Sequence, residues 1–134
     1  MESDIVPENL IAGRTHDTNE VLVTEGLRFD KGKLRMDLIP PEAMRGLAEV
    51  LTVGAEKYAA RNWELGMDWS RCIASLKRHL LKWEEGEVYD DETGLRHLDH
   101  VLCNIVFLST YEKRGIGNND IPAYNKPTTA YNRT

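Results

Sequence analysis

A chain of 134 residues, 41% hydrophobic and 29% charged, has the balance of one soluble globular domain, with or without tails. Its formal net charge of -5 argues against a broad basic surface for a nucleic-acid polymer or an anionic membrane, yet leaves room for a local pocket that takes one phosphate ester. No signal-peptide pattern and no membrane-length apolar run stands out, and the two cysteines, Cys72 and Cys103, read as a reduced pair, so a cytoplasmic setting is the expectation.

Residues 1–25 show little periodicity and carry Pro7, Gly13 and a polar run from Thr15 to Glu20. They read as a mobile arm, with Val21-Leu22-Val23 as one short extended piece. Gly26 to Pro40 is rich in turn residues. Its basic side chains include Lys31, Lys33 and Arg35 around Gly32, a plausible clamp for a triphosphate. The Walker pattern is absent.

A first helix is expected from Pro41, with Glu42 in its first turn and an end near Tyr58 to Ala60. Leu47, Val50, Leu51, Gly54, Ala55 and Tyr58 follow helical spacing. Glu49, Thr52 and Glu56 share a face, either as a solvated stripe or as part of a site beside Lys57. The loop after it offers Arg61, Asn62 and Trp63. That trio suits stacking on a base and bonding to its edge, or Trp63 plugs the core.

A second helix is expected from a cap at Asp68 or Ser70 to Gly86. Cys72, Ile73, Leu76, Leu80 and Trp83 make its buried stripe. An acidic loop, Glu87 to Glu92, leads into a third helix that Glu92 opens and Gly115 ends. Leu95, Leu98, Val101, Leu102, Ile105 and Leu108 make the stripe of this helix. Residues 116–134 read as an extended tail. The domain proper is thus 26–115, an all-α helical hairpin or bundle. Three helices bury little, so a homo-oligomer, dimer or tetramer, is expected to complete it.

Three of the four histidines fall between residues 79 and 100, interleaved with carboxylates. His97, His100 and Asn104 are neighbours on one helix surface. If the second and third helices form an antiparallel hairpin, His79 faces His97 or His100. Such a polar group on an apolar seam is costly unless something binds there. Imidazoles with nearby carboxylates suit a divalent ion, or one holds an ion while another handles a proton. His79, Asp91, Glu92, His97 and His100 are the expected ligands, with Glu87 and Asp90 in the same acidic run. The alternative is a set of partly buried histidines beside a solvated loop.

The order of these strings carries a resemblance. Arg28-Phe29 with Gly32-Lys33 leads to Ile39-Pro40-Pro41, then Gly54-Ala55-Glu56-Lys57-Tyr58, Arg61-Asn62-Trp63, Arg78-His79 and Glu92-Thr93-Gly94 through His97 and His100 to Asn104. Over about residues 26–115 the chain resembles the phage dATP/dGTP diphosphohydrolase domain family, MazZ-type enzymes related to the MazG-like all-α pyrophosphohydrolases. The resemblance implies hydrolysis of purine deoxynucleoside triphosphates between the α- and β-phosphates, to a monophosphate and pyrophosphate. It also implies magnesium or manganese, with zinc or cobalt as alternatives. His79, His97, His100 and Glu92 would be catalytic. Lys33, Arg35, Lys57, Arg61, Asn62, Trp63, Arg78 and Asn104 would bind the nucleotide. The chain departs from the wider group where His97-x-x-His100 replaces a Glu-x-x-Asp and His79 replaces a helix-two glutamate. Two rival readings follow: a protein that binds a nucleotide without cleaving it, and a structural zinc site of His79, His97, His100 and Cys103.

Overall fold

The computed structural model describes residue 22 and residues 24–125. The expected extended piece at 21–23, all of the expected arm before it, and the tail from 126 onward lie outside the described residues. The chain divides into two compact units after Leu38. In the first unit, the Lys33 amide donates to the Asp30 carbonyl at 2.9 Å, and a 3-10 turn follows at Met36–Leu38. Arg35 there makes two 2.8 Å hydrogen bonds to Asp37.

The second unit contains three helices: α1 (Pro41–Lys57), α2 (Trp69–Glu84) and α3 (His97–Arg114). A 3-10 turn at Asn62–Leu65 links the first two. Among the described residues there is no strand, only isolated bridge pairs, and the fold is all-α. No helix there is long and apolar enough to cross a membrane.

The start of α1 follows from its local chemistry. Pro41 opens α1, where a missing amide proton costs nothing, and Glu42 sits in the positive first turn. The start of α2 differs from the expected self-capping. Asp68 holds the cap position without capping through its side chain. The oxygens come from Asp120 instead, which accepts from the Ser70 amide at 2.8 Å and from the Ser70 hydroxyl. Asn118 adds its carbonyl to the Trp69 amide at 2.9 Å and its side-chain amide to Asp68 at 3.0 Å. An unpaired helix amide needs an oxygen from any source, and here the source lies 50 residues on.

The α2 end is a two-bond glycine stop: Gly86, at φ 101°, donates to the Trp83 carbonyl and Glu87 to the Lys82 carbonyl, each at 3.0 Å. The third helix opens later than the sequence spacing predicts. Asp90 accepts from the Thr93 amide at 3.0 Å and from its hydroxyl at 2.8 Å. The Asp90 amide donates to the Leu95 carbonyl at 2.7 Å, and Gly94 adopts φ 73°. Those bonds turn residues 90–95 into a tight loop, and α3 begins at His97. Glu92 therefore does not open the helix.

α3 packs on both other helices and meets α2 most extensively. Among the described residues, Cys72, Cys103 and Tyr111 are the buried apolar members of the core. Trp63 stacks on Phe107 at 4.5 Å between centroids, and the buried Tyr111 hydroxyl donates to the Trp63 carbonyl. Glu64 pairs with Arg61 at 2.9 Å and with Arg114 at 2.6 Å, tying this turn to the end of α3. Gly46 brings α1 close to α3, because a Cβ there would meet the Asp99 carboxylate at 2.5 Å. Trp83, Leu98 and Ile105, expected in buried stripes, are 43%, 42% and 50% exposed. Among the described residues, no neighbour covers those faces.

Gly66 sits at φ 94°, and a Cβ there would meet the Gly117 backbone nitrogen at 2.7 Å. Backbone cannot yield as a flexible side chain can. Gly66→Ala should therefore cost about 1–3 kcal/mol of stability by overpacking and added left-handed strain. Its urea midpoint should fall clearly below that of the parent chain; an unchanged midpoint would mean the segment after α3 is not docked as described.

Candidate functional site

The antiparallel packing of α2 and α3 places His79 in the middle of one helix against the first turn of the other. His79 Nδ1 lies 2.9 Å from His97 Nδ1, and the His79 ring stacks on that of His100 with centroids 4.3 Å apart. The hairpin expectation thus holds, and all three histidines meet. One donor atom each from His79, Asp90 and His97 lie within 4.8 Å of one another.

His97 is fully buried, and its Nε2 has no hydrogen-bond partner. The nearest acid to that nitrogen is Glu87, with Oε2 at 3.5 Å, itself 3.7 Å from the Lys82 ammonium. A buried ring nitrogen without a partner costs about 1–3 kcal/mol, so the arrangement favours a form in which both His97 nitrogens are engaged. His100 is held differently. Its Nε2 lies 2.8 Å from the Thr93 hydroxyl and 3.7 Å from Asp90.

Electrostatics keep His79 and His100 uncharged at neutral pH. Burial, reinforced by the neighbouring His100, lowers His79 to about 4. Burial also lowers His100, against the opposing pull of Asp90. Asp90 itself lies below the usual carboxylate range: burial pushes it up, but the Thr93 hydroxyl and amide and the two histidines outweigh that. At neutral pH the group is then two uncharged imidazoles beside a charged carboxylate, the protonation state that binds cations.

Asn104, 8% exposed, braces the seam rather than opening to solvent. Its amide donates to the Ser75 hydroxyl at 3.1 Å and to the His100 carbonyl at 3.0 Å. Of the expected acidic ligands, Glu92 is exposed and pairs with Lys57 at 3.3 Å. Asp91 is exposed as well. Asp90 takes the inward place, because the turn it makes with Thr93 points the carboxylate at the histidines. The Asp-x-x-Thr-Gly spacing was the available signal for it. Thr93 and Ser75 were likewise missed, since neither is a typical ligand.

Arg78 is exposed next to His79. Lys33 and Arg35 lie in the first unit. Arg61 pairs with Glu64 and Asn62 is exposed. Trp63 packs on Phe107, about 15 Å along α3 from His97 at 1.5 Å per residue, so the structure does not bring the Arg61 to Trp63 trio to the histidines. Cys103 stays outside the cluster too; burial, with Cys72 beside it, pushes its thiol up to about 12. Next to the site, α1 and the start of α3 enclose a cleft of about 280 Å³ lined by Glu42, Arg45, Glu49, Tyr89, Arg96 and Asp99.

The family described as dATP/dGTP diphosphohydrolase, N-terminal, matches residues 23–121. The chain belongs to that family. A dATP/dGTP diphosphohydrolase of Salmonella phage PMBT28 is 39% identical over 83 residues, which is 62% of this chain and 28% of that protein. The chain therefore matches under a third of the length of that relative. No solved structure matches it. The family match contains every residue of the histidine cluster, together with Asp120, which caps α2.

His79 fixes a pH window. Its value is about 4 in the fold against an ordinary 6.5, so between these the unfolded chain carries a proton that the folded chain refuses. The stability gained by keeping it neutral is complete above about pH 6.5 and is lost as the pH falls toward 4. The urea midpoint of the metal-free chain should be level from pH 8 to 7 and fall across that window, and His79→Ala should flatten part of the fall. A level midpoint down to pH 4 would contradict a neutral, buried His79.

Proposed function

We propose that this domain hydrolyses purine deoxynucleoside triphosphates between the α- and β-phosphates, giving a deoxynucleoside monophosphate and pyrophosphate with a divalent ion. The observation that carries the reading is the convergence of His79, His97 and Asp90 around one small volume, with a fully buried His97. Family membership supplies the substrate class, since the relative is named for dATP and dGTP.

The residues fit an ion. Two imidazoles and a carboxylate offer three donors that converge within 4.8 Å of one another. His79, His97 and Asp90 would hold it. Such an ion supplies Lewis acidity and charge neutralisation to a phosphate group.

The chain itself supplies the remaining parts. His100 is neutral at pH 7, and its Nε2 donates to the Thr93 oxygen, whose own proton goes to Asp90, so Nδ1 is the nitrogen that would accept a proton from an attacking water. Asp90 lies 3.7 Å from Nε2 and would stabilise the imidazolium so formed. Lys57 and Arg78 would neutralise the triphosphate. Met44, Leu81 and Ile105, 62%, 56% and 50% exposed, would be covered in a homo-oligomer.

Incubation of the full chain with each deoxynucleoside triphosphate and a divalent ion, followed by separation of the nucleotides, tests the reading. Monophosphate and pyrophosphate should appear from dATP and dGTP. His100→Ala should lower kcat by at least about 100-fold, the usual scale for losing a proton acceptor, with helicity retained. Nucleotide bound and returned intact under every ion would favour a binding protein instead. Diphosphate as product would show that a different bond is cut.

A further inference from the structure

The donor set at the histidine cluster is unlike the oxygen-only sets that hold magnesium. Magnesium is hard, prefers octahedral oxygen ligation and gives up its waters reluctantly. Imidazole nitrogen suits zinc, cobalt and other first-row transition ions. Here two of the three converging donors are imidazoles, and their Nδ1 atoms already lie 2.9 Å apart. His97 is fully enclosed, and His79 is partly so.

The second observation concerns the other face of His97. Its Nε2 is buried without a hydrogen bond, and Glu87 Oε2 waits at 3.5 Å. A histidine whose Nε2 carries the proton presents a bare Nδ1. In metal sites the non-ligating ring nitrogen commonly donates to a carboxylate, which fixes the tautomer and strengthens the ligand. Glu87 is held where it is by the glycine stop at Gly86, which carries the chain back over the first turn of α3, where the His97 amide donates to the Val88 carbonyl at 2.9 Å.

We propose that His79, His97 and Asp90 form a two-imidazole, one-carboxylate site that selects zinc or cobalt over magnesium, with Glu87 as the positioning residue that holds His97 in its Nε2-protonated form. This replaces the sequence-based expectation of magnesium or manganese, and of Asp91 and Glu92 as ligands. It rests on the reading of the cluster as an ion site, but the ion it selects can be measured without any turnover.

The experiment is titration of the metal-depleted full chain with zinc, cobalt and magnesium alone, by calorimetry, and with cobalt by visible absorption. One zinc or cobalt ion per chain should bind, each more tightly than magnesium, and bound cobalt should show a ligand-field spectrum distinct from that of the aqueous ion. Asp90→Asn and His79→Ala, checked for retained helicity, should change or remove that spectrum. Glu87→Ala should weaken zinc binding by about 10–100-fold, the usual cost of losing such a partner, while the cobalt spectrum keeps its shape because the ligands remain. Glu87→Gln, which keeps an oxygen to accept from Nε2, should recover part of the loss. Magnesium bound as tightly as zinc, or a cobalt spectrum indifferent to Asp90→Asn and His79→Ala, overturns the site. Zinc affinity unchanged in Glu87→Ala overturns the role of Glu87. Tight zinc or cobalt binding with no nucleotide cleaved would leave the site standing and remove the hydrolase reading. Cleavage supported by magnesium, with zinc bound no more tightly, would do the reverse.

Discussion

The contact of His79 with His97 is the constraint on which the rest of this domain depends. Two imidazole nitrogens 2.9 Å apart require two helices to meet there, one at its middle and one at its first turn. Two charged rings cannot be buried together, because a second positive charge at that distance would be repelled without water to screen it. The lowered His79 value expresses this. The polar seam runs on from His97 through the His100 carbonyl and Asn104 to Ser75, so the α2–α3 interface is hydrogen-bonded at one end and apolar at the other, where Cys72, Cys103 and Tyr111 pack.

That geometry needs a short return between the helices, and residues 85–96 are built for it. Gly86 ends α2 and Gly94 takes the second left-handed position. Between them, Asp90 serves two masters: it caps its own turn through Thr93 and faces the histidines. A carboxylate on a helix would have been carried around by the helical period. On a cross-braced loop it is fixed by bonds to the amides beside it, which is how a metal-ligating or proton-handling group is held still.

The far end is closed by different means. Trp63 and Tyr111 interlock, Glu64 pairs with two arginines, and the segment after α3 returns to cap α2 through Asp120. None of these groups contacts the histidines; they tie the turn before α2 and the segment after α3 to the helices. A small core with so many partly exposed apolar side chains relies on such specific bonds more than a large one does.

The sequence by itself determined the three helices, the opening of α1 at Pro41, the glycine stops at Gly86 and Gly115, the hairpin of α2 and α3, and the meeting of His79 with His97 and His100. These follow from local periodicity, from backbone freedom at glycine and from the short link between two apolar stripes. Family membership was legible in the order of its motifs as well. What only the tertiary structure decided is which acid points inward and which caps come from afar. Asp90, Asp91 and Glu92 are alike as acids, only Asp90 has the Asp-x-x-Thr-Gly spacing, and its inward place comes from a turn closed by Thr93 and Leu95. Asp120 caps α2 across 50 residues, a distance that no local rule covers. Trp63 had two equal roles in sequence, and packing on Phe107 chose between them, because an aromatic face gains most where another ring already waits.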